Sequence, residues 1–587
     1  MRRFFRYTLI AFVIFALLIA IAMTYLASRL NSETVMPLVQ QQLKQHTGLV
    51  LESAGAMRWR LFPRLHVEIS ALSLHTEQAY GGDSLFTEID RFELGINWKK
   101  LLDSELRFES LAISDVTLRL VKPASAKGNW QALAQEPANK PLDSKTTSAQ
   151  AQNIAALALV FDDLTLKNVA IEYHDLASAI RHEVVLDNLQ ASHIQLDGRP
   201  FKFAFAAQYR NSDAFGSHLS FASSLSVDAK SNTLHFSSIK GELDNSQFNG
   251  EIKISEITQA PVVNATLQFD QVSLNHYQGD NNSTTNETPN GEVKKQDTEQ
   301  SPLLALFALP NANLELQISR LQYNNIDFRN VLANANITKG YVSIKPVTAD
   351  AFGGKITTQL TLDGSAVTPV LRTHSNFDSL QLDQLLSGFE LPPDLSGVLT
   401  FNADTTMQGS NSNQWLRSLN GSSSISITQG VYHKDNIEHR VCQAIALARN
   451  EKLSAQWPAN TYFNTANANI KWHNGIGEIT SVTGGLDNMQ LSGTGRLSAI
   501  DQSANLRLRA IITGDLAEKD PGCAINEKYR AIAWPIRCTA NTDISQCRID
   551  QSALEKMIKA SLQNELQQVI NKKLGEQLGE TLRQLLQ

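Results

Sequence analysis

Cysteine is scarce in this chain of 587 residues: Cys442, Cys523, Cys538 and Cys547 are the only four, all near the C-terminal end. They form no CxxC pair, and their wide spacing without a neighbouring histidine argues against a zinc site. Two disulfides are the natural alternative in an oxidising compartment, and all three pairings stay open. Catalytic signatures are missing as well. There is no GxSxG, since Gly575 and Gly579 flank Gln577. The one Gly-Lys, Gly354-Lys355, lacks the glycine that a P-loop places five positions ahead. His182-Glu183 is not followed by the second histidine of HExxH, and "GTGR" (493–496) has no helix signal after it. The remaining histidines are scattered, and Asp162-Asp163 reads as a turn beside a strand start. No enzyme, cofactor or metal is expected. A net charge of -6 with no basic stripe beyond the N-terminus excludes nucleic acid as a partner.

Long apolar runs are nearly absent too, with one exception. Arg2, Arg3 and Arg6 precede an uncharged stretch, Thr8 to Ala27. At 1.5 Å per residue such a stretch matches a hydrocarbon core of roughly 30 Å. Positive charge ahead of it places the N-terminus in the cytoplasm and the bulk of the chain across the membrane. A cleaved signal peptide is the competing reading, but its apolar core is normally shorter and no clean cleavage site precedes Arg29. We therefore expect a stub and anchor over residues 1–30.

What the sequence has in abundance is alternation. In "WRLFPRLHVEISALSLH" (59–75), Leu65, Val67, Ile69 and Ala71 share one side. The phase then slips by one, so that Leu72 and Leu74 continue it, as a bulge would allow. Phe62-Pro63 marks a strand start or edge. Residues 105–121 place Leu106, Phe108, Leu111, Ile113, Val116, Leu118 and Leu120 on one side of successive strands, and Phe201, Phe203 and Phe205 repeat the theme. Similar stretches follow at 356–364, 399–409, 423–432, 489–498 and 505–514. Asp363-Gly364, Asn420-Gly421, Gln429-Gly430, Asn474-Gly475 and Gly484-Gly485 read as turns between strands. Residues 111–121, 164–175 and 316–330 share a frame of strand, polar turn and strand. That frame suggests an array growing along one axis, although any two amphipathic hairpins look alike.

Helical signals are few: 32–47 (capped by Ser32 and ended at Gly48), 382–389, a piece near 438–450, and the tail. Residues 551–587 form an amphipathic helix with Leu554, Ile558, Leu562, Leu566, Ile570, Leu574, Leu578, Leu582 and Leu586 in a stripe. It can pack on the body, a membrane or a partner. Residues 123–153 and 278–302 lack the apolar content to offset ordering and read as unstructured, the second as a linker. The remaining domains are β-rich, 31–277 and 303–550.

A sheet with one apolar face must cover it with helices, another sheet or ligand. The helices here are too few for what reads as roughly thirty strands, which at about 4.8 Å each would extend well over 100 Å. Alkyl chains could occupy the bare face at about 0.8 kcal/mol per buried CH₂. Alternation alone nominates Val67, Ile69, Leu118, Leu120, Phe201, Phe203, Phe205, Leu360, Leu362 and Leu508 as its lining.

Several motifs in a shared order carry a resemblance. Trp59, Leu61-Phe62-Pro63, Trp98 with Leu101-Leu102, Gly128-Asn129-Trp130, Phe352-Gly353-Gly354, "CQAIALARN" and "CAINEKYRAIAWPIRC" together resemble the AsmA family of Gram-negative bacteria. The match is weak from about 176 to 300. The resemblance implies a single-pass inner-membrane protein, N-terminus cytoplasmic, whose periplasmic part is an elongated, twisted, open β-sheet groove. It further implies phospholipid carriage between inner and outer membrane in support of outer-membrane biogenesis, with a possible outer-membrane or periplasmic protein at the C-terminal end. The alternative is a scaffold or chaperone-like factor in outer-membrane protein assembly, working through exposed sheet edges.

Overall fold

The computed structural model describes residues 36–37, 40–41, 43–44, 47–55, 57–60, 65–80, 82–97, 108–124, 128–130, 161–178, 180–211, 215–277, 304, 306–307, 309–448, 450–525, 530, 532–541 and 545–556. The expected anchor, Ser32, Leu61 to Pro63, Trp98, Leu101-Leu102, Leu106, the loop beyond Trp130, the linker 278–302 and the tail from residue 557 lie outside these residues. Among the described residues no helix is long and apolar enough to cross a membrane. The chain divides into two compact units, Met1–Asp270 and Gln271–Gln587.

The first unit is a mixed sheet. Its strands are β1 (Leu49–Ser53), β2 (Arg58–Arg60), β3 (Leu65–Tyr80), β4 (Asp83–Ile96), β5 (Phe108–Lys122), β6 (Asp163–Asp175), β7 (Ile180–Ser192), β8 (Asp197–Asn211), β9 (Gly216–Asp228), β10 (Thr233–Leu243), β11 (Ser246–Ser255) and β12 (Val262–Ser273). A helical segment before β1 ends at Gly48, whose φ of 69° suits a C-terminal glycine and whose N–H donates to Lys44 O at 3.0 Å. Both β1 and β2 pair with β3, and from β3 onward each strand pairs with the next. All pairs are antiparallel except β5–β6, which is parallel. A parallel pair needs a long crossover, and this is why the stretch after β5 interrupts the meander. Where β4 stops pairing, Asn129 takes over the edge of β5. Its Oδ1 accepts from Val121 N at 3.0 Å, and its Nδ2 donates to Arg119 O at 2.8 Å.

Residues 105–121 were expected to form successive strands; the described part is one strand, β5, with a bulge at Asp115. The same holds for 164–175, a single strand β6 bulged at Asn168, whereas 316–330 does contain a hairpin turn. The sequence similarity has a spatial meaning: β5 and β6 lie side by side with Leu111, Ile113 and Val116 opposite Leu164, Leu166 and Val169. Five consecutive strands carry an extra residue at one level, namely Ala71, Asp90, Asp115, Asn168 and Asp187, each skipped by the ladder. Ala71, Asp115 and Asn168 adopt φ of 51°, 57° and 51°, a region that Asp and Asn tolerate best. Asn168 Nδ2 donates to Asp115 Oδ1 at 2.8 Å across the parallel pair. From β8 onward the extra residue is gone. The phase slip after Ala71 is thus one member of a crease crossing five strands.

The second unit begins with the end of β12 and continues through β13 (Asn311–Tyr323), β14 (Ile326–Thr338), β15 (Tyr341–Ala351), β16 (Gly354–Asp363), β17 (Val370–Gln381), β18 (Leu395–Gln408), β19 (Asn420–Tyr432), β20 (Thr461–His473), β21 (Ile476–Leu486), β22 (Met489–Ser498), β23 (Ser503–Ile512), β24 (Trp534–Ala540) and β25 (Ser545–Ile549). These form an antiparallel meander in sequence order. Short helices interrupt it: α1 (Leu382–Gly388), α2 (Ser412–Arg417), α3 (Ile437–Ala448) and α4 (Leu516–Lys519). Together the described residues contain 25 strands rather than about thirty. The Asn474-Gly475 turn is present, with φ of 48° and 78° joining β20 to β21. Gly484-Gly485 and Gln429-Gly430 are corrections: both lie inside strands. Gln429 has a φ of 51° within β19, and Gly484 and Gly485 simply run in the ladder opposite Ala466 and Thr465.

The crease yields a test. Asn168→Val puts a β-branched side chain at a left-handed φ and removes the bond to Asp115, so the urea midpoint should fall by the equivalent of about 1–3 kcal/mol. Asn168→Gly, which accepts that φ, should cost clearly less.

Candidate functional site

Residues directly opposite in a ladder point to the same face, so the pairings define rows across the sheet. One row of the first unit reads Ile69, Phe92, Ile113, Leu166, Leu189, Phe205, Phe221, Gly241, Phe248, Phe269, from β3 to β12. Beside it runs Leu72, Ile89, Val116, Val169, Leu186, Ala207, Leu219, Leu243. The opposite face reads Glu68, Glu93, Ala112, Thr165, Gln190, Ala204, Ala222, Lys240, Asn249, Gln268. One face is oily along ten strands, and its reverse carries no large apolar side chain in the adjacent row.

Among the described residues nothing buries the first row: all ten of its members are intermediate in exposure. Among the described residues the helix-to-strand contacts of the first unit lie at its margin, where Gln40 Nε2 donates to Leu51 O at 2.9 Å and Lys44 meets Glu77 at 3.3 Å. Nine inter-strand steps at roughly 4.8 Å make a strip about 43 Å long. Aromatic rings pave its far half: Phe205 to Phe221 is 5.5 Å between centroids, Phe203 to Phe236 5.6 Å, and Phe248 to Phe269 5.3 Å. Gly241 is the gap these rings fill, since a Cβ there would lie 2.6 Å from the Phe248 ring. Along one flank of the strip, at the strand ends of β5 to β8, the rows turn polar. Tyr173, His182 and Tyr209 stack in series, each pair at 5.9 Å, Trp130 leans on Tyr173 at 5.8 Å and 53°, and His182 Nδ1 lies 2.7 Å from Tyr209 Oη. Next to them Lys122 Nζ meets Asp175 Oδ2 at 3.0 Å, a bond that holds the Asp175 carboxyl below its usual range and raises Lys122.

Seven nominated residues, Val67, Ile69, Leu118, Leu120, Phe201, Phe203 and Phe205, share this face. Ile69, Leu118, Leu120, Phe203 and Phe205 are half-buried, whereas Val67 and Phe201 are buried in small clusters at its margin. Leu360 is half-buried in the second unit. Leu362 and Leu508 are at 0 % and 7 % exposure, so their surface is taken up by the chain itself. Phe221, Phe236, Phe248 and Phe269 were not singled out. Their alternation was readable in 246–255 and 262–273, but the bulge at Ser238 (φ 52°) and the side-chain gap at Gly241 break the pattern in β10.

The second unit has a comparable row, Ile356, Phe377, Phe401, Ile425, Ala468, Val482, Gly493, Leu508, Ile536, Ile549, but helices close on it. Leu382, Leu385 and Leu386 of α1 pack with Leu380, Leu399 and Ile427. Val441, Cys442 and Ile445 of α3 pack on Met489, Leu508, Ala510, Trp534 and Ile536. This cap is fastened three ways. Cys442 pairs with Cys523 at 5.1 Å between Cα atoms, whereas Cys538 and Cys547, at 4.1 Å, join the neighbouring strands β24 and β25. Buried Glu438 accepts from Asn488 N at 2.8 Å and from Lys519 Nζ at 2.9 Å. Fully buried Asp520 accepts from the amides of Ser454, Ala455 and Gly522 at 2.9, 2.8 and 2.9 Å.

The sequence model of the AsmA family matches residues 1–214 and 217–482. The chain belongs to the AsmA family. Those spans contain the first unit's apolar strip up to Phe269 and end before β22, so Cys523, Cys538 and Cys547 lie beyond them. The chain is also similar to Protein AsmA of Escherichia coli (strain K12), 20% identical over 577 residues that cover 88% of each protein.

The cap has a defined acid response. The Ala455 amide, with those of Gly522 and Ser454, holds Asp520 below its ordinary 3.8 against the opposing effect of burial. A carboxyl depressed on folding contributes stability that is fully present above 3.8 and lost as pH falls through the lower folded value. Acid titration followed by intrinsic tryptophan fluorescence should show the unfolding of the second unit moved to higher pH in Asp520→Asn. Coincident curves for the two proteins would refute the assignment.

Proposed function

We propose that the protein is a lipid conduit without covalent chemistry. Held in the inner membrane through residues 8–27, it passes phospholipid acyl chains along the apolar strip of its periplasmic part towards the outer membrane, and so supports outer-membrane biogenesis. One observation carries this reading: a ten-strand apolar row, Ile69 to Phe269, that no described helix covers. Exposed apolar area of this extent in a folded protein marks a binding surface. An alkyl chain laid on it gains about 0.8 kcal/mol per buried CH₂ without any directional demand. Charges along the strip's flank, such as Lys122 and Asp175 at the ends of β5 and β6, suit a polar headgroup that stays in water. Membership of the AsmA family is consistent with a role at the cell envelope. The scaffold reading draws less support, because β1, β2 and β25 are only three to five residues long and offer little template for an added strand.

Adjacent residues on opposite faces give a clean test. Phe221→Glu, alone or with Phe205→Glu, should cut the phospholipid copurifying with the solubilised full chain several-fold, as counted by mass spectrometry. Ala222→Glu, one residue along and on the polar face, should leave it unchanged. A lipid-free wild-type preparation, or equal loss in both variants, would refute the conduit.

A further inference from the structure

Glycine inside a strand weakens it and needs a reason. Gly493 has one: a Cβ there would lie 2.2 Å from Arg507 O, so only glycine lets β22 and β23 approach. Gly484, its neighbour in the ladder system, has none of that kind. Its φ lies outside the left-handed region, and an added Cβ would meet nothing closer than Thr465 O at 3.5 Å and Leu491 Cβ at 3.6 Å. The backbone would accept alanine. What the missing side chain provides is space.

That space is an apolar cavity of about 240 Å³ on the inner face of β19 to β25. Ala466 and Gly484 form its floor, and Phe463, Leu491 and Leu506 wall it. Ile437 of α3 closes one side and the Cys538–Cys547 pair another. Its polar side chains are Thr461, Thr483, Thr539 and Tyr432, all neutral hydroxyls, so no charged group there would recognise a charged ligand. A cavity of roughly 150 Å³ lined by apolar side chains holds one benzene ring. By that measure, this one has room for about ten carbons in a single file.

We propose that this recess is a binding pocket for one unbranched alkyl chain end, a site separate from the open strip of the first unit. It rests on the reading above only in the class of ligand. The chain end can come from a free fatty acid or from one tail of a diacyl lipid, and both present the same chemistry to the pocket. The α3 cap then has a role besides stability: it turns the apolar face of the last strands from an open surface into a closed-ended pocket.

The test is photocrosslinking of the full-length chain in phosphatidylethanolamine/phosphatidylglycerol nanodiscs. One arm uses a fatty acid bearing a diazirine at its methyl end; the other uses phosphatidylethanolamine with the same group on one tail. Labelling of the peptides containing Leu491 and Leu506 by either probe is the expected result, and the arm that labels them identifies the source. Gly484→Leu, which fills the recess, should reduce that labelling at least ten-fold, while Gly484→Ala keeps most of it. Intact Cys442–Cys523 and Cys538–Cys547 linkages in a non-reducing peptide map confirm that the Leu variant is folded; if they are lost, Gly484→Val replaces it. Absence of label from these peptides in both arms, or label that survives Gly484→Leu in a folded variant, overturns the proposal. Label at Phe205 and Phe221 reports on the strip independently: its absence would defeat the conduit reading while leaving the pocket standing.

Discussion

A slip of one residue turns every side chain of a strand to the other face, and this constraint governs the first unit. Ten strands must stay in phase for Ile69 and Phe269 to lie in one row. Strands of this length twist, and a long open sheet must bend or coil. The first unit places the accommodation at one level. Ala71, Asp90, Asp115, Asn168 and Asp187 are each skipped by the ladder, so that five strands shift phase together and their apolar residues stay on one side of the crease and the other. Had one strand kept plain alternation, half of its apolar residues would face the side of Glu68 and Glu93. The preference for Asp and Asn at the crease follows from backbone conformation, and the Asn168–Asp115 bond ties the two neighbours that run parallel.

The two units share this architecture and differ in what lies on the apolar face. In the second, α1 and α3 supply leucine, isoleucine and valine to cover the rows, and the residues beneath become a packed core, with Val441, Cys442, Met489 and Ala510 at 0 % exposure. A cap of a single three-turn helix with short connecting turns buries too little to secure itself. Its fastening by the Cys442–Cys523 pair and two buried carboxylates, Glu438 and Asp520, compensates. The first unit has no cysteine, and among its described residues no helix of that kind caps the row. Its row from Ile69 to Phe269 keeps intermediate exposure from end to end.

Much of this was legible in the sequence because period two is a local property. Val67, Ile69, Phe203 and Phe205 announce their face within a few residues, and so does the slip at Ala71. What failed were inferences that needed the neighbouring strand. The Ser-Asp at 114–115 and the Lys-Asn at 167–168 look like turns in one dimension, since the residues are those of turns; only the partner ladder shows that the chain continues straight through. Gly484-Gly485 misleads for the same reason. Which unit is open was hidden as well. Leu508 and Phe205 read alike, and the difference lies in α3, some sixty residues from Leu508 in sequence and directly above it in space. Cysteine pairing was equally nonlocal: Cys538 and Cys547 are register partners on β24 and β25, whereas Cys442 meets Cys523 only through the cap.

The chemistry of the strip explains why its composition can be loose while its geometry is strict. Hydrophobic contact is non-directional and scales with area, so the row can mix isoleucine, leucine and phenylalanine, and even admit Gly241 where flanking rings close the gap. A catalytic site would fix particular atoms within fractions of an ångström; an apolar row makes no such demand. The reverse face has the opposite duty. Gln190, Lys240 and Gln268 are exposed there, so that only one side of the sheet presents a continuous apolar row. A protein similar at only 20% identity can therefore match over 88% of its length: such a fold asks for phase, polarity and bulge position far more than for particular side chains.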